Sequence, residues 1–261
     1  MKPEPKSKPY PKLIVLGTDG NAGKTTISRL VLERNLDSLP AIEAEAVANS
    51  NASGTKNRLT VRDARTGKPM LVAALLSEIA EKVIIVDVGT NLYHAAIDTL
   101  SEHREKLVAV PVAIIVPLQV SREDQRKLLA HISKVASDLD ALDMPHLKRI
   151  LVLNRVAGDD SDAKKIAAIL ETAKKINFQV CKTILPEVGV VDHLKESHDY
   201  DLEKIATQDS SAIQKETGVA MARGDLEASL KGGSELARIG EAARLLPIVK
   251  ALAEEISSLA A

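Results

Sequence analysis

Residues Lys12–Leu32 read KLIVLGTDGNAGKTTISRLVL and join an apolar run, a glycine-rich turn and an amphipathic segment. The run Leu13–Leu16 predicts a β-strand, and the spacing of apolar residues after Thr25 predicts a helix. The glycines between them let consecutive backbone N–H groups point at one anion, and the helix dipole adds to that attraction. The stretch is therefore typical of a phosphate-binding loop between a strand and a helix.

The residue types of this loop suit the binding of a nucleotide. We expect the Lys24 ammonium to reach the β- and γ-phosphates and the Thr25 hydroxyl to hold Mg²⁺. The loop residues expected to bind nucleotide are Gly20, Asn21, Ala22, Gly23, Lys24, Thr25 and Thr26. Thr18 stands where the usual pattern has its first glycine, so the flanking strand and helix must support the assignment. A plain glycine turn with a solvated Lys24 is the alternative.

Composition limits the classes of function. The 261 residues carry a formal net charge of −1, which gives no overall electrostatic attraction to nucleic acid. Cys181 is the single cysteine, so a disulfide framework is excluded and a reducing cytoplasm fits. No signal peptide is visible, and no apolar run approaches the ~20 residues of a membrane span. We expect a cytoplasmic protein without a membrane partner.

Apolar, β-branched runs alternate with helical patterns over the first two hundred residues. The predicted strands are Leu13–Leu16, Ala41–Val47, Val83–Val88, Val108–Val116, Ile150–Leu153 and Val180–Leu185. The predicted helices are Thr25–Asn35, Met70–Glu81, Arg122–Val135 and Asp162–Ile176. Continuous apolar runs are typical of strands that are covered on both faces. The alternation therefore predicts an α/β fold with a doubly wound, mostly parallel sheet.

The character of the chain changes near residue 200. Residues 1–11 are rich in proline and lysine and predict a disordered leader, and residues 12–200 form the expected nucleotide-binding domain. Residues 201–261 predict a helical C-terminal extension, packed on the domain or at a dimer interface. Within it, the polar, glycine-containing part before Ser234 predicts short helices in loops. A longer helix is expected from Ser234, with a kink or restart at Pro247.

Carboxylates at two strand ends are candidates for the chemistry. Val83–Asp87 reads VIIVD, the Walker B arrangement, in which Asp87 can hold Mg²⁺ directly or through water. A surface acid that merely follows a strand is the alternative. On an earlier predicted strand, Glu43 and Glu45 share one face. Because Glu45 is nearer the strand end, we prefer it as the residue that orients the attacking water or the Mg²⁺ shell, with solvent-exposed acids as the alternative.

Two later strand ends supply candidate base-binding residues. The strand LVLNR ends in Asn154 and Arg155, and an Asn side chain offers both a donor and an acceptor to an adenine edge. The segment ILPE ends in Pro186 and Glu187, and the fixed φ of proline can hold the chain beside a base. Taken alone, each motif is equally well explained as an ordinary strand-end turn.

Together, GNAGKTT, VIIVD, VLNR and ILPE resemble the ParA/MinD group of P-loop ATPases, the deviant Walker A type, over roughly residues 12–195. Within that group, GNAGKTTISR followed by EAEAVANSNAS is most similar to plasmid StbB/TraL-type stability and transfer proteins. The resemblance implies a homodimer that forms on binding ATP with Mg²⁺. It implies catalytic roles for Lys24, Glu45 and Asp87, and metal binding by Thr25 and Asp87. It also places Asn154, Arg155, Pro186 and Glu187 at the nucleotide.

The function that this resemblance implies is a dimerisation switch that hydrolyses ATP slowly and acts in plasmid stability, positioning or conjugative transfer. Members of the group usually carry an early loop lysine that reaches the partner's nucleotide, and Asp19 stands at that position. We therefore expect slow hydrolysis. We also expect the Asp19 side chain to point away from the phosphates, toward solvent or a partner subunit. Whether a partner protein or non-specific DNA is bound stays open.

Two other functions remain open. Gly17, Thr18 and Asp19 resemble the loop of dethiobiotin synthetases, which implies an ATP-dependent ligase that activates a carboxylate. Against it, no substrate-holding lysine is obvious after the second strand, and the polar region beyond residue 200 does not fit. The other alternative is a nucleotide-binding scaffold without turnover.

Overall fold

The computed structural model describes residues 10–19, 22–38, 41–44, 82–197 and 199–261. Within these ranges, six strands form one parallel sheet in the order β2-β3-β1-β4-β5-β6. The strands are β1 (Lys12–Val15), β2 (Ile42–Ala44), β3 (Ile84–Val88), β4 (Val112–Gln119), β5 (Lys148–Asn154) and β6 (Gln179–Val180). The doubly wound α/β, P-loop NTPase-like fold predicted from the sequence is confirmed.

Helices follow most of the strands. They are α1 (Thr26–Glu33), α2 (Tyr93–Glu102), α3 (Arg104–Leu107), α4 (Gln125–Asp140), α5 (Asp160–Lys175), α6 (Gly189–Ser197), α7 (Leu202–Ala206), α8 (Ser210–Ala222) and α9 (Leu226–Ala260). Helix α1 is wound as a π-helix, and a single 3-10 turn, Thr90–Leu92, precedes α2. The long helix α9 packs against α1, α6, α7, α8 and β5.

Strand β1 shows why the apolar runs are continuous rather than alternating. Leu13 and Val15 pack on one face of the sheet, in a core that α1, α6 and α9 complete. Ile14 and Leu16 pack on the other face, with side chains of α2, α4 and α5. All four are buried, because helices cover both faces of a parallel sheet.

Two predicted strands have different bounds in the structure. The strand predicted over Val108–Val116 starts at Val112, after the helix α3 and Pro111, and continues to Gln119. The strand predicted over Val180–Leu185 is short and ends at Val180. Beyond it the chain rejoins the sheet through one bridge, between Val156 and Pro186. The predicted helix Met70–Glu81, residues 45–47 of the second predicted strand and residues 1–9 of the leader lie outside the described residues.

The C-terminal helix also differs from the prediction. It starts at Leu226 rather than Ser234, because the Asp225 carboxylate accepts a hydrogen bond from the Ala228 N–H and caps its first turn. It continues through Pro247 without a restart. The loop predicted just before Ser234 is therefore wrong, and its two neighbouring glycines lie inside the helix.

Gly232 and Gly233 form a matched pair for testing the packing of α8 on α9. A Cβ at Gly232 would collide with Thr217 Oγ1 of α8 and lie 3.1 Å from Thr217 Cβ, whereas a Cβ at Gly233 would meet nothing within 4 Å. We expect Gly233→Ala to raise the free energy of unfolding by about 0.5–1 kcal/mol through helix propensity. Gly232→Ala should lower it, because Thr217 must move. Chemical denaturation followed by circular dichroism measures both, and equal effects would contradict this packing.

Candidate functional site

The motifs identified in the sequence meet at the carboxyl edge of the parallel sheet. Val15 at the end of β1 pairs with Asp87 of β3 and with Ile115 of β4. One strand further out, Gln119 of β4 pairs with Asn154 of β5. The phosphate loop leaves β1 at this edge, so residues from four strands can surround it. Gly20 and Asn21, two of the predicted loop residues, lie outside the described residues, as does Glu45.

The Lys24 ammonium lies within the loop that precedes it. Its Nζ donates to the backbone oxygen of Asp19 at 2.5 Å and to Thr90 Oγ1 at 3.1 Å. The side chain is buried, so its charge acts in a low-dielectric setting, where its attraction for an anion is strengthened. Thr90 follows β3 and had not been singled out from the sequence. The geometry suits a lysine that reaches a phosphate bound by the loop.

Asp87 is a buried carboxylate surrounded by hydroxyl donors from α1 and the residue before it. Ser28 Oγ donates to Asp87 Oδ2 at 2.8 Å, and the Thr25 hydroxyl bonds the same carboxyl. Burial raises the pKa of Asp87, while the Ser28 bond, the Lys24 charge and the Thr25 bond oppose that rise. Thr25 and Asp87 thus present two adjacent hard oxygen ligands at the phosphate loop. This donor set fits Mg²⁺, as predicted from the two motifs.

A buried ion pair between α1 and β2 holds α1 in place. The Arg29 guanidinium bonds the Glu43 carboxylate of β2, and both side chains are almost fully buried. The same guanidinium lies over the ring of Tyr200, 5.3 Å from its centroid. Glu43 is therefore engaged in a structural pair. It is not available to orient a water molecule, which agrees with the preference for Glu45 over Glu43 but does not test Glu45.

Asn154 lies directly against the phosphate loop. A Cβ at Gly23 would collide with Asn154 Nδ2, and Gly23 also has a φ of +89°, so only glycine fits there. The Asn154 side chain is 2% exposed, and Nδ2 has no hydrogen-bond partner among the described residues. A buried amide donor without a partner is costly unless a ligand satisfies it. The sequence indicated Asn154 as a strand-end residue but gave no sign of its contact with Gly23.

The other predicted base-site residues belong to an ion-pair network. Arg155 is buried, has a positive φ of 54°, and pairs with Asp192 of α6 and, at 3.9 Å, with Glu187. Glu187 also accepts a hydrogen bond from Arg122 Nε at 2.8 Å. Pro186 forms the bridge that brings this segment beside β5. The structure therefore brings these three residues together next to Asn154, with Arg122 and Asp192 as members that sequence reasoning missed.

Asp19 turns toward the helix α4 side of the loop. Its carboxyl hydrogen-bonds the carboxyl of Glu123, which lies in the turn before α4. Beside it, Thr18 Oγ1 and His131 Nδ1 are 2.6 Å apart. We expected Asp19 to point away from the phosphates, toward solvent or a partner subunit. Asp19 lines a cleft between the loop and α4, and the expectation stays a prediction. No sequence signal pointed to Glu123, because a second carboxyl is not an obvious neighbour for the first.

Comparisons with known proteins bear only on the fold. No protein-family model matches the chain, and a search of curated proteins finds no significant match. Similar solved structures include apo McdA from Cyanothece, at 15% identity and a TM-score of 0.49, covering 72% of this chain and 90% of McdA. An ATP complex of a McdA variant from Cyanothece has 15% identity, a TM-score of 0.47, and coverage of 75% and 90%. This similarity is too distant to carry a statement about function.

The described part of the chain shows neither a membrane span nor a metal cluster. Among its helices, none is both long and apolar enough to cross a bilayer. Its histidine, cysteine, aspartate and glutamate side chains form no group of three suited to hold a metal ion. The Thr25–Asp87 pair, with one hydroxyl and one carboxylate, is of the kind that completes its metal coordination with phosphate oxygens and water.

The raised pKa of Asp87 gives a prediction with a defined sign. In the range between an ordinary carboxyl pKa and the raised one, the native state binds more protons than the unfolded state, so stability falls as pH rises. Asp87→Asn removes the buried charge and should raise the melting temperature of the nucleotide-free protein at neutral pH. The same change should abolish Mg²⁺-dependent nucleotide binding.

Thermal unfolding between about pH 4 and pH 8 measures the first effect, and binding titrations with Mg²⁺ or with EDTA measure the second. Asp138→Asn is the matched control. Burial opposes the shift at Asp138, but bonds from Lys134 and Tyr93 lower the pKa of its carboxyl, so this change should reduce stability at neutral pH. A lower melting temperature for Asp87→Asn at neutral pH would contradict the electrostatic account of the site.

Proposed function

We propose that this protein binds ATP with Mg²⁺, hydrolyses it slowly, and uses it as a dimerisation switch of the ParA/MinD type. The finer proposal is a role of the StbB/TraL kind in plasmid stability, positioning or conjugative transfer. One observation carries the nucleotide site: the buried Asp87 carboxyl, bonded by Thr25 and Ser28, lies beside the buried ammonium of Lys24. A lone glycine turn with a solvated lysine would not assemble this set.

The phosphates would bind over the start of α1. Backbone N–H groups of the loop and of the first helical turn would point toward an anion placed there, and Lys24 would add a full positive charge. Ala22, Gly23, Thr25 and Thr26 belong to this set, and Gly20 and Asn21 are proposed with them. Lys24 would exchange its bond to the Asp19 backbone oxygen for bonds to the β- and γ-phosphates.

Thr25 and Asp87 would hold the Mg²⁺ ion. The bound ion neutralises phosphate charge, and the chain's own contribution is to fix two oxygen ligands in a dry setting. Ser28 keeps the Asp87 carboxyl oriented through its bond to Oδ2. We propose that Glu45 orients the attacking water, since the preceding strand β2 leads toward the same edge of the sheet.

The base would lie against Asn154. Its unpaired Nδ2 donor and its carbonyl oxygen suit the acceptor and donor of an adenine edge. The ion pairs of Arg155 with Glu187 and Asp192 hold the segment around Glu187 on the side of the base opposite Asn154. Pro186 restricts the backbone of that segment. These contacts support ATP as the preferred nucleotide.

Slow hydrolysis follows from the loop residue Asp19. A positive group at this position could stabilise charge that develops on the transferred phosphoryl group, and a carboxyl cannot. We propose a homodimer that forms on ATP binding in the cytoplasm, with residues 12–200 as the nucleotide-binding domain and residues 201–261 as a C-terminal extension. A partner protein or non-specific DNA would be its further ligand.

Lys24→Ala tests the phosphate site. Removing the ammonium should abolish ATP binding while the melting curve stays close to that of the wild type. Lys175→Ala, which removes a solvent-exposed lysine paired with Glu171, should leave binding unchanged. Binding is measured by calorimetry, phosphate release by a steady-state assay, and dimerisation by size exclusion with and without ATP. Unchanged ATP affinity in a folded Lys24→Ala protein would overturn the assignment.

Asn154→Ala tests the base site. Each adenine hydrogen bond left unmade should cost about 1–3 kcal/mol, so the preference for ATP over GTP should shrink in this variant. Asn177→Gly is the control, because Asn177 precedes β6 at the opposite edge of the sheet and has a φ of 57° that glycine accepts. Competition binding of the two nucleotides gives the ratio. Equal affinities in the wild type would remove the basis for this assignment.

A further inference from the structure

The C-terminal helix α9 contacts the segment that carries two of the proposed base-site residues, Pro186 and Glu187. We call residues 182–190 the base segment; it runs from just after β6 into the first turn of α6. The proposed function gives α9 no role at the nucleotide. Two carboxylates of α9 nevertheless accept hydrogen bonds from backbone N–H groups at the two ends of the base segment.

Glu255 of α9 holds the start of the base segment. The Lys182 N–H donates to Glu255 Oε1 at 2.7 Å, and the Thr183 N–H donates to Oε2 at 3.0 Å. Because β6 ends at Val180, these N–H groups have left the sheet and need another acceptor. Burial would raise the pKa of Glu255, but the bonds from Lys182 and Thr183 outweigh it and lower that pKa. The carboxyl is therefore ionised at neutral pH, and both of its oxygens accept.

Glu241 of α9 holds the other end. The Val190 N–H donates to Glu241 Oε2 at 2.8 Å. Val190 lies in the first turn of α6, where backbone N–H groups have no acceptor within the helix, and a carboxylate also interacts favourably with the helix dipole there. Glu241 and Glu255 are about four turns apart, so both project from the same side of α9. One straight element thus bonds both ends of the base segment.

Between these two ends, the base segment pairs with the chain that leaves β5. The Val156 N–H donates to the Leu185 oxygen at 3.1 Å, and the Glu187 N–H donates to the Val156 oxygen at 3.1 Å. Val156 comes directly after Asn154 and Arg155, the other proposed base-site residues. The base segment therefore lies between α9 on one side and the strand end that bears Asn154 on the other.

We infer that Glu241 and Glu255 are positioning residues of the proposed nucleotide site, which hold the base segment where Pro186 and Glu187 can contact the base. The inference rests on the proposed function, because it requires that a base bind beside Asn154. Both carboxylates act through the backbone of the base segment. The inference gives α9, the longest element of the C-terminal extension, a role in nucleotide binding.

Apolar packing keeps α9 on the domain when either carboxylate is removed. Leu185 and Val190 of the base segment are buried in the same core as Leu245 and Leu252 of α9. Buried apolar area of this kind supplies most of the stability of a helix packed on a sheet. We therefore expect variants of Glu241 and Glu255 to fold, and to differ from the wild type in the placement of the base segment.

A ligand without a base separates positioning from folding. In calorimetric titrations with Mg²⁺, Glu241→Ala and Glu255→Ala should each lower the affinity for ATP about tenfold, as expected for one hydrogen bond left unmade at the base. The affinity for inorganic tripolyphosphate should stay unchanged. Glu254→Ala, an exposed neighbour on α9, is the control and should change neither affinity. An equal loss for both ligands would show a merely structural role, and an unchanged ATP affinity in folded variants overturns the inference.

The two carboxylates should differ when each is replaced by glutamine. Glu241 accepts the Val190 N–H on one oxygen, and a glutamine carbonyl oxygen can do the same, so Glu241→Gln should restore the wild-type ATP affinity. Glu255 uses both oxygens, and the glutamine NH₂ group would face a second N–H donor. Glu255→Gln should therefore lose as much ATP affinity as Glu255→Ala. Equal ATP affinities of the two glutamine variants contradict this pattern of bonds.

Amide hydrogen exchange of the nucleotide-free protein tests the two anchors without a ligand. The N–H groups of Lys182, Thr183 and Val190 should exchange slowly in the wild type, because each donates to a carboxylate. Exchange should become faster at Lys182 and Thr183 in Glu255→Ala, and at Val190 in Glu241→Ala. It should stay slow at all three in the Glu254→Ala control. Fast exchange of all three in the wild type overturns the inference.

Failure of the proposed function has a different signature. A wild type that binds neither ATP nor tripolyphosphate contradicts the nucleotide site and this inference together, while slow amide exchange still shows that α9 holds the base segment. A wild type that binds both, with an ATP affinity that neither Asn154→Ala nor the α9 variants change, retains the phosphate site. In that case the base site and the positioning role of α9 are both wrong.

Discussion

A carboxyl group without access to water must be matched by hydrogen-bond donors, and the donors of Asp87 come from the first residues after the phosphate loop. The Ser28 hydroxyl lies 2.8 Å from Asp87 Oδ2, and the Thr25 hydroxyl bonds the same group. These bonds fix the start of α1 against the end of β3. Since Lys24 directly precedes that start, its position follows from the same contacts. The desolvated acid thus positions Lys24 and Thr25, at the end of the phosphate loop.

A second buried pair extends this constraint to the rest of the molecule. Arg29 of α1 bonds Glu43 of β2 and lies over the ring of Tyr200, which precedes α7. Removing one partner of such a pair leaves an uncompensated buried charge, at a cost of about 3–5 kcal/mol. One helix therefore ties an edge strand and the C-terminal region to the nucleotide site. The pair as a whole adds little to net stability, because the cost of desolvating both charges offsets their attraction.

The sequence predicted the sheet well because its signals are local. Runs such as that of β1 can only be buried on two faces, and acids and amides at their ends must meet at one edge. The prediction from sequence failed where contacts between residues far apart in the chain determine the structure. Gly232 looks like a helix breaker, but in the structure it makes room for Thr217 of α8. Glu123 was missed because it lies far from Asp19 in the sequence and no local pattern links the two residues. The contact of Asn154 with Gly23 depends on the fold and has no local signature.

Helix α9 has 35 residues and an axis about 52 Å long. Its first buried residue is Ile239. The turns before Ile239 project about 20 Å beyond the anchored part, braced along their length by α8. Four large apolar side chains are exposed near the tip of this projection: Val219, Met221, Leu226 and Leu230. A tilt of roughly 10° of the anchored segment would displace the N-terminal tip of the helix by several ångströms. A small rearrangement at α1, which α9 contacts, would produce a larger displacement at the N-terminal end of α9.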